Sequence, residues 1–335
     1  MAVRRHRVAF IAQPEYFRFT YEHDLDEDAE VREFALVNML ETRDFSALID
    51  FKADFNFFFR GEFVPADVLT QLAGVKIALS SEPFPRVIDG RIEQTLDSVN
   101  RYLHFRDIRK LPYDYLFHYD EASLPVMARD GLQCSGPFAF PVATSTYRPS
   151  ATDKTWDLFF IGRSTAHRER YFGPLKHRHN FLHICHGLWG PDLVDYINRS
   201  KICLNVHAEN EVSWEPRVQM LLACRTLLIS ERITPNKLLR PGTDYVEANS
   251  PTEMYTAVEH YLHHADELEA IAHAGQQRVL TLLDGRQQYL ALIARIERGE
   301  VPRYHAGQGS RRMDALATAQ KIWRECSRRM AAWRS

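Results

Sequence analysis

Short apolar runs separated by polar or helical stretches organise the chain from end to end. In the first half they are RVAFIA (7–12), FNFFF (55–59), VKIALS (75–80), YDYLFHY (113–119) and FAFPVA (138–143). Runs this short, rich in aromatic and β-branched residues and spaced by helix-length segments, predict buried strands of a parallel sheet. Helices are predicted over 27–42, with Val31, Phe34, Leu36, Val37 and Leu40 near one face, and over 64–73, with Val68, Leu69 and Leu72.

The second half repeats the alternation in WDLFFIG (156–162), FLHICHG (181–187), KICLNVH (201–207), TLLIS (226–230) and a short DYVEA (244–248). Each run is followed by a loop and a plausible helix, as the βα units of a doubly wound sheet require. Ser250, Pro251 and Glu253 predict a capped helix start, and Met254, Ala257, Val258, Tyr261 and Leu262 form its apolar stripe. A second helix is predicted through ADELEAIAHAGQQRVLTLL (265–283). Pro141, Pro149 and the Ser/Thr-rich stretch between them mark a linker at 141–155, so the expected units are 1–145, 146–300 and a basic C-terminal helix over 301–335.

With 335 residues, two cores of ordinary size are expected. A formal charge of −2 gives no global attraction to nucleic acid, and Arg and Lys gather on no stripe outside the tail, so any anion site must be local. The tail from Arg303 carries eight Lys/Arg against Asp314 and Glu325; it reads as a helix packed on the body, or as a surface that touches anionic lipid. The N-terminal apolar run is too short for a signal peptide, and no stretch approaches the ~18 apolar residues of a membrane span, which predicts a cytoplasmic protein. Five scattered cysteines without a CxxC predict no disulfide framework.

Candidate chemistry clusters after the strands. Gly162 follows WDLFFI directly, and Arg163, Arg168 and Arg170 come next; a glycine there lets backbone approach a ligand, and guanidinium groups clamp phosphate oxygens. Gly187 and Trp189 end another strand, where Trp189 either stacks on a base or caps the core. His177, His179, His183, Cys185 and His186 invite a zinc reading, but strand alternation points His183 and His186 to opposite faces, so no metal is expected. The acidic DLDEDAE (24–30) lacks the glycine and spacing of a calcium loop and reads as solvated. In WEPRVQMLLACRTLLISE (214–231), Arg217 places a positive charge in a helix first turn, where the helix dipole disfavours it and an anionic partner would explain it. Arg225 stands at a helix-to-strand joint that ordinarily takes glycine.

Taken in order, FPVATSTYRP, WDLFFIGR, SKICLNVH and PRVQMLLACRTLLISE resemble segments of GT-B glycosyltransferases, in particular the group 1 type and its CgeB-like branch, over residues 138–295. The resemblance implies an α/β fold of two Rossmann-like doubly wound domains facing a central cleft. It also implies a nucleotide-sugar donor, no resident cofactor, and a departing diphosphate held by helix N-termini and basic side chains in place of a metal. Gly162, Arg163, Gly187, Trp189, Asn205, His207, Glu215, Arg217 and Gln219 are then the expected donor contacts. Arg163 is favoured over Lys201, which precedes a strand. For an inverting reaction Glu82 and then Asp120 are the candidate bases, and the acceptor is expected to be a glycan, a lipid-linked glycan or a protein. One departure stands out. Met220 occupies the place where those enzymes carry the glutamate that holds the donor ribose. A nucleotide-sugar epimerase on the same fold and a non-catalytic sugar-nucleotide-binding protein are the alternatives.

Overall fold

The structure, a computed structural model, describes residues 5–36, 44–208, 214–234, 236–311 and 313–316. The chain divides into two compact units, one joining residues 13–31 to 139–298, the other joining 6–12 to 32–138 and the chain from Gly299 onward.

The second of these holds a six-stranded sheet of β1 (His6–Ala12), β2 (Ala29–Ala35), β3 (Phe55–Phe59), β4 (Val75–Ser80), β5 (Tyr115–His118) and β6 (Gly136–Pro137). Its order is β2-β1-β3-β4-β5-β6, and the pairs from β1 through β6 are parallel. Every residue of β3 is buried, as a parallel sheet covered on both faces demands.

The 139–298 unit holds a five-stranded sheet of β7 (Trp156–Ile161), β8 (Phe181–Ile184), β9 (Ser200–Asn205), β10 (Leu227–Ser230) and β11 (Val246–Glu247). Its order is β8-β7-β9-β10-β11 and every neighbouring pair is parallel. The chain leaves β7 toward β8 on one side and returns to β9 on the other. In open parallel sheets that reversal opens a crevice at the carboxyl ends of the two central strands. Gly162 and Val206 therefore begin the loops that line it.

Capping follows the sequence closely at the helix Pro251–His263. The Ser250 hydroxyl accepts from the Glu253 amide at 3.2 Å, while the Glu253 carboxylate reaches back to the Asn249 amide at 2.8 Å, one residue before the cap.

Three expectations are corrected. Residues 29–35 form an edge strand where a helix over 27–42 was expected; Phe34 and Leu36 still reach the core, so a short alternating edge strand mimicked a helical face. Val37 and Leu40 lie outside the described residues. FAFPVA forms no ladder strand: Pro141 carries no donor, and only Val142 makes an isolated bridge, to Asp284. The 141–155 stretch is docked, with Tyr147 buried, the Ser150 amide on Asn198 Oδ1 at 3.1 Å, and Lys154 Nζ on the carbonyls of Asn198 and Ser200 at 2.8 and 2.9 Å.

The acidic loop is likewise not all solvated. Asp24 is 7% exposed and accepts hydrogen bonds from the Thr144, Ser145 and Arg286 amides at 3.2, 2.9 and 3.2 Å. Gly285 lies against it so closely that any side chain there would collide with the carboxylate and with the Thr20 carbonyl. Of the predicted C-terminal helix, residues 317–335 lie outside the described residues. Among the described residues no helix is long and apolar enough to cross a membrane.

Arg225 does take the conformation that glycine favours, with φ of 55° immediately after the helix Arg217–Ala223 and its C-cap Cys224. The left-handed conformation costs a non-glycine residue about 1 kcal/mol. An exposed ion pair to Glu269 compensates only weakly. Arg225→Gly is expected to stabilise the protein by about 0.5 kcal/mol, and Arg225→Val to cost at least about 1 kcal/mol, in urea unfolding. A glycine variant as unstable as the valine variant would contradict this account.

Candidate functional site

The carboxyl ends of β7, β9 and β10 gather a compact group of charges inside the 139–298 unit. The chain turns at Gly162, whose φ of 145° favours glycine, and its carbonyl accepts from His183 Nε2 at 2.8 Å. The helix Ala166–Lys176 then starts at Thr165, whose hydroxyl caps the Arg168 amide at 3.2 Å. That cap points the Arg168 side chain back over the strand ends. Arg168 is 2% exposed, with Nε donating to the Val206 carbonyl at 2.9 Å and Nη1 to the Arg163 carbonyl at 2.8 Å.

Arg217, at the start of the helix Arg217–Ala223, joins Arg168. The two guanidinium groups lie over the Phe160 ring at 5.0 and 4.9 Å, a cation–π arrangement that fixes both. Burial pulls the Arg168 pKa down to about 10, and the Arg217 charge acts in the same direction. Glu215 sits between them: its Oε2 meets Arg217 Nη2 at 2.7 Å, and its Oε1 lies 3.6 Å from Arg168 Nη2 and 3.9 Å from His207 Nδ1. Burial alone would raise the Glu215 pKa, yet Arg217, His207 and Arg168 together hold it down at about 2.

His207, 2% exposed, follows β9. Its Nε2 donates to the Arg232 carbonyl at 2.9 Å, because a carbonyl only accepts, and its Nδ1 faces Glu215 Oε1 at 3.9 Å. Behind it Glu231, after β10, accepts the His207 amide at 2.7 Å and contacts His167 Nε2 at 2.8 Å. Among the described residues, Arg217 Nη1 and His207 Nδ1 are buried without a partner.

Of the residues expected from sequence, Gly162, Arg163, His207, Glu215 and Arg217 meet here, although Arg163 contributes its carbonyl while its side chain is exposed. Gly187 and Trp189 follow the adjacent strand β8, with Trp189 50% exposed. Asn205 and Gln219 are buried: Asn205 Nδ2 bonds Ser230 Oγ at 2.8 Å while its Oδ1 has no partner among the described residues, and Gln219 takes Trp214 Nε1 at 2.7 Å and gives to the Phe140 carbonyl at 3.1 Å. Lys201, at the opposite end of β9, pairs with Asp157 at 2.7 Å.

In the other unit Glu82 is clamped by Arg60 at 2.6 Å and by Arg101. Asp120 is buried, which raises its pKa, and it caps the Ala122 amide at 2.8 Å. Sequence reasoning named Arg168 only as one arginine among three and passed over Phe160, Glu231 and His167. The available signal was positional: the third residue after the Thr165 cap, following strand and glycine, faces the strand ends.

Two parallel doubly wound sheets, with charged groups converging at the switch point of the second, define the GT-B-like class of fold. Among solved structures, HepE of Anabaena in complex with UDP and glucose is 8% identical, with 87% of this chain and 100% of that one aligned and a TM-score of 0.55. Sucrose-phosphate synthase of Thermosynechococcus elongatus is 10% identical over 88% and 99% of the two chains, with a TM-score of 0.56. A UDP-N-acetylglucosamine 2-epimerase is 10% identical over 92% and 100%, with a TM-score of 0.50. At these identities the likeness is one of fold. Residues 161–293 match the family described as glycosyl transferase-like. No curated protein sequence matches the chain.

Proposed function

We propose that the protein transfers a sugar from a nucleotide-sugar donor to a glycan, lipid-linked or protein acceptor, as a member of the CgeB-like branch of group 1 glycosyltransferases. The observation that carries this reading is the pair of buried Arg168 and partly buried Arg217 at the carboxyl ends of β7 and β9. Two fixed guanidinium groups neutralise the charge that grows on a departing diphosphate, and they do so without reorganising during the reaction. Exposed Arg163 supplies a third positive charge at the same loop, and Trp189 offers a face for the base. Neighbours in fold crystallised with UDP and with UDP-glucose support the donor class.

Asp120 is the better candidate base in an inverting reaction, because Glu82 is already held by two arginines. Half-buried Met220 offers a ribose hydroxyl only a weak thioether acceptor in place of a carboxylate, so the ribose is read by another group, and a non-catalytic sugar-nucleotide-binding protein is the second reading.

Screening UDP, GDP, dTDP and CMP for thermal stabilisation tests the site. A matching ligand at 100 times its dissociation constant adds about 2.7 kcal/mol. Arg163→Ala is expected to weaken the stabilisation severalfold. Turnover with the corresponding nucleotide-sugar and an acceptor supports transfer; isomerisation of the donor alone, followed by NMR, would indicate an epimerase. Binding without any turnover would favour the non-catalytic reading, and stabilisation by no nucleotide would overturn the site.

A further inference from the structure

We propose that the Glu215 carboxylate is an internal stand-in for a ligand anion: it occupies the place between Arg168, Arg217 and His207 that a diphosphate takes, and swings out when the diphosphate arrives. The inference rests on the proposed function and concerns how that same site is kept before ligand enters it.

The fit of Glu215 to its surroundings is incomplete in a particular way. One carboxylate oxygen makes a short ion pair with Arg217, while the other lies 3.6 Å from Arg168 and 3.9 Å from His207, beyond hydrogen-bonding distance from both. Arg217 Nη1 and His207 Nδ1 stay buried without partners among the described residues. A carboxylate has two oxygens. A diphosphate has more, spread over a longer span, and so can engage Arg168 and both nitrogens of Arg217 together. A further ligand oxygen can at the same time engage His207 Nδ1.

Arg168 does not depend on Glu215 for its position, and Arg217 is held by Phe160 as well as by Glu215. Arg168 is tied to two carbonyls and both guanidinium groups rest on Phe160. Glu215 itself lies outside the helix that starts at Arg217; its carbonyl accepts the Val218 amide at 3.0 Å, which leaves the side chain to rotate about its own bonds. Its side chain is 20% exposed, against 3% for Arg168, so it has a path outward. The two cations thus share one carboxylate that offsets only one of their charges and leaves Arg217 Nη1 unpartnered, and the better-fitting anion displaces it.

A competitor inside the site taxes ligand affinity by the fraction of time it is seated. Isothermal titration of inorganic pyrophosphate and of UDP, GDP and dTDP into the full chain reads this directly. Glu215→Gln is expected to bind pyrophosphate and the preferred nucleoside diphosphate about tenfold more tightly than the unsubstituted protein. Glu215→Asp keeps the charge but is too short to span both arginines; it is expected to fall between the two, and it serves where the glutamine variant does not fold. If the unsubstituted protein binds a diphosphate and these variants bind it equally or more weakly, Glu215 is a ligand contact or a structural group and the inference is wrong. If no form of the protein binds any diphosphate, the functional reading itself fails and this inference fails with it.

Discussion

Arg217→Ala is expected to lower kcat/KM for sugar transfer by about 100- to 1000-fold, the range found when a preorganised group facing developing charge is removed. The measurement uses the nucleotide-sugar whose diphosphate best stabilises the protein. Arg217 is suited to this test because the only side chain bonded to its guanidinium among the described residues is Glu215, and its remaining buried nitrogen has no partner in the fold. Its removal costs the fold one ion pair and leaves Glu215 beside Arg168, whereas it deprives a bound diphosphate of its second fixed cation. A drop in kcat with little change in KM would place the interaction in the transition state; an equal drop in donor binding would place it in the ground state. An unchanged kcat/KM would mean that the diphosphate does not meet Arg217, and the proposed site would have to be abandoned.

The second large effect concerns stability. Asp24→Ala is expected to destabilise the 139–298 unit by about 3 kcal/mol, because three amide donors lose their acceptor at a buried carboxylate. Asp24→Asn retains the shape and one acceptor oxygen and is expected to cost less, about 1–2 kcal/mol. Hydrogen exchange over the helix Gly285–Glu297 is the appropriate readout, since Asp24 joins the first turn of that helix to residues 144 and 145. Faster exchange confined to that helix and to residues 142–147 is the expected signature. Unchanged protection, or a loss below about 1 kcal/mol, would show that water or other groups satisfy those amides.

Much of this architecture is legible in the chain. The runs at 7–12, 55–59, 75–80 and 156–162 become strands within a residue or two, because a run of aromatic and branched residues buried on both faces has few other uses in a parallel sheet. The stretch 27–42 misleads because Val31, Phe34 and Leu36 sit at spacings that serve a helical face and an edge strand alike. FAFPVA misleads because hydrophobicity reports burial, and burial does not require a ladder.

The site divides along the same line. Strand, glycine and arginine in WDLFFIGR, and the charged turn in WEPR, are local patterns, so Gly162, Glu215 and Arg217 were within reach. Arg168 was not distinguished from its neighbours, because its importance depends on its reaching a carbonyl 38 residues away. Gln219 and Asn205 look the same as ligand contacts on paper, and packing turns them inward.

The sequence alone determined that this is an α/β chain of two parallel sheets, and it marked the loop after Gly162 and the turn before Arg217 as the places where an anion would be met. Only the tertiary structure decided which arginines gather over Phe160, that Glu215 stands between them, and that Asp24 is a buried acceptor and not a solvated acid. Periodicity and turn chemistry act over a few neighbouring residues and are written into the chain in order. The pairing of charges and the fate of a buried donor depend on groups brought together from β7, β9 and β10, and no local pattern records which of them will meet.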